Sequence, residues 1–225
     1  AVSGRLELLQ SLGKTLLEKK SMFKDARPGN LFDFYSSSSD QLELSGESLL
    51  KGVLIGLGGI WPGRISLGGT NLGDVWPYSA FNNDHSIACL VPFHKLSQWL
   101  TYSLIEPLED AGLKISQIEK LTGLAEYRNG GLFYDMNVIE LRRPELIQMI
   151  HAPESDLVIE WRALTIVLLD KLATLIRKKL KITELDFPLP KVLEGGTWWA
   201  GRKIAKEIRA AGGPPILIKS DGTVF

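Results

Sequence analysis

One cysteine, Cys89, stands in a chain of 225 residues, so no disulfide can form within the chain and no cysteine-based zinc site can be assembled. That scarcity fits a reducing compartment. The three histidines, His85, His94 and His151, are too scattered to form a metal cluster, and no metal is expected. Net charge is also missing. The 26 basic and 26 acidic residues cancel, which removes any global pull toward nucleic acid or an anionic membrane. No apolar run approaches the roughly 20 residues that cross a bilayer, and Ala1-Val2-Ser3-Gly4 leads into an amphipathic helix rather than a signal peptide. A cytoplasmic protein with no membrane partner is expected. The absent initiator methionine suggests a processed chain or a portion of a longer one. The common nucleotide motifs fail as well. Gly13-Lys14-Thr15 lacks the leading glycine of a phosphate loop, because Leu8 stands there. Gly56, Gly58 and Gly59 do not make a dinucleotide fingerprint, because Trp61 stands where the third glycine belongs. Neither a G-x-S-x-G elbow nor an HExxH segment occurs, so the chemistry is to be sought in the Lys and carboxylate positions. No cofactor is expected.

What is present is helical periodicity. Leu6, Leu9, Leu12 and Leu16 predict a first helix to about Lys20, and Leu31 to Tyr35 a short second one. Arg27 to Asn30 reads as a turn and the serines from Ser36 as a polar loop. A helix is predicted over 47–57. Glycines from Gly63 onward suggest a hairpin or irregular loop before Trp76, and Asn82 to His85 is a polar loop. The longest periodic segment runs from Asp156 to about Lys181, with Leu157, Trp161, Leu164, Leu168, Leu172 and Leu175 as its buried face and Val158, Thr165, Leu169 and Ile176 widening it. A basic helix follows over about 200–210, and Ile216 to Lys219 alternates as a terminal strand.

The stretch from Phe93 to Asn129 carries the candidate chemistry. Val91-Pro92 reads as a helix start, with Leu96, Trp99, Leu100, Ser103 and Leu104 as a buried stripe and Lys95, Gln98 and Tyr102 on a second face. Pro107 should kink or end that helix. Ser116 to Glu119 reads as a capping box opening a second helical piece, which Leu124 to Arg128 closes and Asn129-Gly130-Gly131 stops. Lys95 lies among Phe93, Leu96 and Trp99, and Glu126 among Leu124, Ala125 and Tyr127. Charges in apolar surroundings need partners or a task.

Several blocks resemble the C-terminal half of the uracil catabolism protein 4 family. They are Arg27 to Asp33, Trp61 to Arg64, Leu72 to Trp76, Val91 to Leu100, Leu121 to Gly131, Glu160 to Thr165, Leu193 to Trp198 and Ser220 to Phe225. The resemblance covers nearly the whole chain. It implies a role in ring-opening uracil breakdown through a ribosylurea intermediate. A weaker resemblance joins the same order of blocks to the queuosine-phosphate N-glycosidase family, itself related in fold to helix-hairpin-helix DNA glycosylases. There His94 to Gln98, Ala125 to Asn129 and Glu160 to Thr165 match the family's three segments, and Asp74 matches an acidic residue upstream. The departures fall at Glu126, where that family has Asp, and at Asn129-Gly130-Gly131, where it has Val-Pro-Gln.

Together these imply a mainly α single helical domain over 1–225, glycosylase-like, with at most a small β element. The implied activity is an N-glycosidase that cleaves an N-ribosyl bond in a small nucleoside-derived substrate, ribosylurea or its phosphate. Glu126 would stabilise the sugar cation and Lys95 would donate a proton or bind an anion. Asp74, His94, Gln98, Tyr102, Tyr127, Arg128, Glu160 and Arg162 would bind substrate. Glu160 and Arg162 are about 200° apart on one helix, so only one can face a common pocket. The rival reading is a noncatalytic helical module that binds a partner enzyme or nucleic acid, and zero net charge argues against the latter.

Overall fold

The computed structural model describes residues 2–38, 40–81 and 87–219. The loop expected at 82–85 and the matching segment at 220–225 lie outside them. In chain order the helices are α1 (Val2–Glu18), α2 (Asn30–Ser38), α3 (Gly46–Leu57), α4 (Lys95–Asp110), α5 (Tyr127–Asp135), α6 (Asp156–Leu180), α7 (Leu189–Val192) and α8 (Trp199–Ile208). The strands are short: β1 (Glu43–Ser45), β2 (Ser66–Leu67), β3 (Thr70–Asn71), β4 (Val75–Pro77), β5 (Leu90–Pro92), β6 (Lys114–Ser116), β7 (Ile150–His151) and β8 (Leu217–Ile218). They pair only two by two, as β1-β6, β2-β3, β4-β5 and β7-β8. The protein is therefore mainly α with small β elements. No helix among the described residues is long and apolar enough to cross a membrane.

The chain divides into two compact units. Among the described residues, the first comprises 2–38, 40–75 and 96–121. Its core gathers Leu16, Phe23, Leu31, Tyr35, Leu49, Leu57, Leu108 and Ile115. α1 turns Leu8, Leu12 and Leu16 toward this core, while Leu6, Leu9 and Leu17 stay exposed. The inward face thus follows a four-residue spacing rather than the stripe expected through Leu6 and Leu9. α2 is longer than expected. Ser36, Ser37 and Ser38 form its last turn instead of a loop, and each hydroxyl donates to the carbonyl of Asp33 or Phe34. Such back-bonding lets serine stay in a helix end. α3 lies where expected, with the Ser45 hydroxyl accepting from the Ser48 N–H at 3.1 Å. β2 and β3 form the hairpin expected after Gly63. Its tip is Gly68-Gly69 at φ +55° and +78°, a primed turn that glycine makes without strain. β1 and β6 pair in parallel, so Lys114 to Ser116 is strand, not the approach to a helix. Only a 3-10 turn follows, at Ile118–Lys120, in place of the helical piece expected from the capping box.

α4 corrects two further expectations. It begins at Lys95, after the strand β5 that occupies Val91 and Pro92, and it contains Pro107 near its C-terminal end. A proline there forfeits one hydrogen bond with little helix left to break. The helix turns Leu100, Leu104, Ile105 and Leu108 to the core of the first unit, but the buried residues of its first half are polar. Lys95, Ser97, Gln98 and Thr101 are all below a tenth exposed, whereas Trp99 is 51% exposed.

The second unit comprises 76–81, 87–95 and 122–219 of the described residues. α6 spans it with 25 residues, starts after Ser155, and carries Arg177, Lys178 and Lys179 in its last turn, where they suit the helix dipole. Its buried face is Val158, Ile159, Trp161, Arg162, Thr165, Leu169 and Ala173. Trp161, Val158, Thr165 and Leu169 lie on it as expected, but it is rotated from the leucines of the expected face, since Leu164 and Leu175 are exposed. α5 packs on α8 and α6. The packing uses glycine: a Cβ at Gly130 would meet Trp161 and Thr165, and one at Gly201 would lie 2.9 Å from the carbonyl carbon of Arg128 and closer still to its oxygen. α7 and α8 are one helical run joined by a π-helical segment, Leu193–Trp198. Arg209 beyond α8 holds Asp135 at the end of α5 through a bidentate pair, at 2.6 and 2.5 Å. The terminal strand β8 pairs in parallel with β7.

Candidate functional site

The second unit concentrates charge in its interior around the start of α5. Glu126 is the residue before that helix, in extended conformation, and its carboxylate caps it. One oxygen accepts from the Asn129 N–H at 2.6 Å and the other from the Arg128 N–H at 2.8 Å. Residues 124–128 therefore open a helix where a helix end had been expected. Asn129, Gly130 and Gly131 lie inside it, and the two glycines admit Trp161, Thr165 and Pro215 rather than stopping the chain. Glu126 is only 7% exposed. Burial pushes its pKa above the usual carboxylate range; the two backbone N–H bonds pull it back, and then the Lys95 and Arg128 charges do so.

Lys95 is 6% exposed, and its ammonium lies close enough to favour the ionised form of Glu126. The residue before it, His94, has φ +47°. That left-handed backbone costs a non-glycine residue about 1–2 kcal/mol, and it sets the angle at which α4 begins. Arg162 of α6 is 1% exposed. Its Nε donates to the Ala125 carbonyl at 3.2 Å and its guanidinium lies 4.1 Å from the centre of the Phe93 ring. Phe93, Ala125, Ile159 and Trp76 are the apolar packing around these charges.

Of the two α6 candidates, Arg162 approaches the residues flanking Lys95 and Glu126. Glu160 is exposed and accepts from the Tyr78 hydroxyl. Arg128 is half-buried, donates from Nη1 to the Gly212 carbonyl at 2.6 Å and stacks 4.6 Å over Tyr127. Asp74, Gln98 and Tyr102 belong to the first unit. Gln98 Oε1 is a buried oxygen with no hydrogen-bond partner.

Two contributors were not among the candidates. Asn129 is 1% exposed; its side chain donates to the Leu124 carbonyl at 3.3 Å and accepts from the Thr197 hydroxyl at 2.8 Å. The π-helical segment is thereby fastened to the turn that holds Glu126. The spacing Glu126-x-x-Asn129 is the local signal that could have shown it, since a capping side chain bonds the N–H of the third residue on. Among the described residues, no three His, Cys, Asp or Glu side chains gather as metal ligands. Chemically, the cluster can hold a fixed buried carboxylate beside an ammonium, an arrangement that stabilises positive charge and supplies a proton donor.

The family model for the protein of unknown function DUF1688 matches residues 1–225, and the chain belongs to that family. Its curated relatives include Protein urg3 of Schizosaccharomyces pombe, 46% identical over all of this chain and 54% of its own length. Uracil catabolism protein 4 of Lachancea kluyveri is 41% identical over 99% of this chain and 56% of its own length. The chain thus spans about half the length of these relatives. No solved structure matches it.

Proposed function

We propose that this protein acts in uracil catabolism as an N-ribosyl hydrolase, with ribosylurea or its 5′-phosphate as substrate. The carrying observation is the buried Glu126 carboxylate, oriented by two backbone N–H groups and set beside the Lys95 ammonium. The likeness to a relative named for uracil catabolism supports the assignment to that process.

In this reading the bond between C1 of the sugar and the urea nitrogen breaks, and its electron pair leaves with the nitrogen. Positive charge builds on the sugar, and Glu126 stabilises it electrostatically. The N–H bonds that hold the carboxylate keep it from turning away as charge develops, so no reorganisation is needed at that moment. Urea departs poorly as an anion, so Lys95 donates a proton or a strong hydrogen bond to the departing nitrogen. Water then adds its oxygen to C1 and releases one proton, which restores the lysine. Arg162 positions the Ala125-Glu126 backbone through its bond to the Ala125 carbonyl.

The test is incubation of the intact purified protein with ribosylurea, with and without 5′-phosphate, followed by urea detection. Urea release from one of them is expected. Absence of release from both overturns the reading.

A further inference from the structure

A cavity of about 340 Å³ opens in the second unit against another face of α6, where Leu157, Glu160, Trp161 and Leu164 recur at helical spacing. Its volume suits a small molecule. Its walls differ in charge. On α6, Asp156 and Glu160 present carboxylates that are held in place by neutral donors: Ser79 bonds Asp156 through its N–H and hydroxyl, and the Tyr78 hydroxyl bonds Glu160. On the connection before the 3-10 turn Pro144–Gln148, Arg142 and Arg143 present two exposed guanidinium groups, with Glu140 beside them. Among the described residues no ion pair joins either arginine to Asp156 or Glu160. The field of Arg142 nevertheless reaches the Tyr78 hydroxyl that bonds Glu160. Residues of opposite charge thus line one cavity with no ion pair between them among the described residues, and between them the lining is apolar, with Trp161, Leu164 and Leu146.

A monoanion would meet the carboxylates unscreened, and a monocation the arginines. A molecule with both charges satisfies both walls. We propose that this cavity binds a small zwitterion whose ammonium and carboxylate are separated by an apolar stretch. The carboxylate docks on Arg142 and Arg143, the ammonium on Glu160 and Asp156, and the apolar stretch lies along Leu164 and the Trp161 edge. Planar guanidinium forks suit a carboxylate. This site is independent of the proposed hydrolysis at Glu126.

Isothermal titration of the purified protein with 6-aminohexanoate tests it. Hexanoate, hexylamine and norleucine serve as controls: the first two lack one charge, and norleucine is an isomer with its charges adjacent. 6-Aminohexanoate should bind at least tenfold more tightly than each control. The double substitution R142Q/R143Q, confined to exposed side chains, should weaken it about tenfold, and E160Q should weaken it similarly. The proposal is overturned if 6-aminohexanoate fails to bind at millimolar concentration. It is equally overturned if any control binds as tightly, or if R142Q/R143Q binds 6-aminohexanoate like the parent.

Discussion

Alanine should have opposite effects at two glycines of the same helical run. Gly195 lies in the π-helical segment with open space where a Cβ would go. Gly195→Ala should therefore only reduce the freedom of the unfolded chain and raise stability by about 0.5–1 kcal/mol. Gly201 lies in α8 against the backbone of Arg128. A carbonyl in the first turn of α5 cannot rotate away as a side chain could, so α8 must back off α5. Overpacking of this kind costs about 1–3 kcal/mol, here at the upper end because the obstacle is backbone, against about 1 kcal/mol gained in helix propensity. A net loss of about 2 kcal/mol lowers Tm by about 4–8 °C for a protein of this size. Differential scanning calorimetry of both variants is the assay. The displaced Arg128 N–H is one of the two that hold Glu126, so Gly201→Ala should also slow any turnover that depends on that carboxylate. A Gly201→Ala protein that melts at or above the parental temperature would show that the α5–α8 contact is not limiting and would refute the packing argument.

Other expectations centre on the same region. Glu126→Gln removes the charge but keeps the size, and urea release from ribosylurea should fall by about 10²–10³ with a smaller change in KM; an unchanged rate in a folded variant would remove Glu126 from the mechanism. The carboxyl pKa of Glu126 is raised in the folded state above its ordinary 4.5, so its contribution to stability is present in full below pH 4.5 and is lost as pH rises through the raised value. Melting curves from pH 4 to 7 should therefore show the parent losing ground to Glu126→Gln as pH increases; the opposite trend would contradict the burial argument. Arg162→Lys loses the flat contact with Phe93 and the Nε bond to Ala125, and should cost about 1–3 kcal/mol in urea denaturation. Parental stability in that variant would show the bond to be dispensable.

The parts of the fold that were legible in the sequence rest on long-range regularity. α6 was delimited almost to the residue because 25 residues of periodic pattern end in a basic turn. α3 and the Gly68-Gly69 hairpin were signalled by local turn chemistry. The site was legible in composition but not in geometry. Glu126 and Lys95 drew attention as charges among apolar neighbours, and both are buried. Yet the helix at Glu126 was read in reverse, because glutamate is an uncommon cap and Asn129-Gly130-Gly131 resembles a helix stop. Those glycines serve contact with α6 and Pro215, which only tertiary structure reveals. The same limit applies to α4, where Leu100 and Leu104 of the expected stripe pack on the core but Trp99 is left exposed while Gln98 and Thr101 are buried.

The π-helical turn between α7 and α8 acts as a phase slip. Each residue of an α-helix advances the side-chain direction by about 100°, so the wider turn offsets the faces of α7 and α8 from any single periodic reading. Val192 and Leu193 on one side, and Gly201 and Ala205 on the other, are all buried. They reach that state from two different angular frames within one unbroken run. The wide turn takes up one extra residue, so a chain one residue shorter at Gly195 or Gly196 would close into a regular α-helix with Gly201 still facing Arg128. A deletion in this turn should therefore be tolerated, whereas a further inserted residue would rotate α8 by about 100° and act at a distance on the anchoring of Glu126.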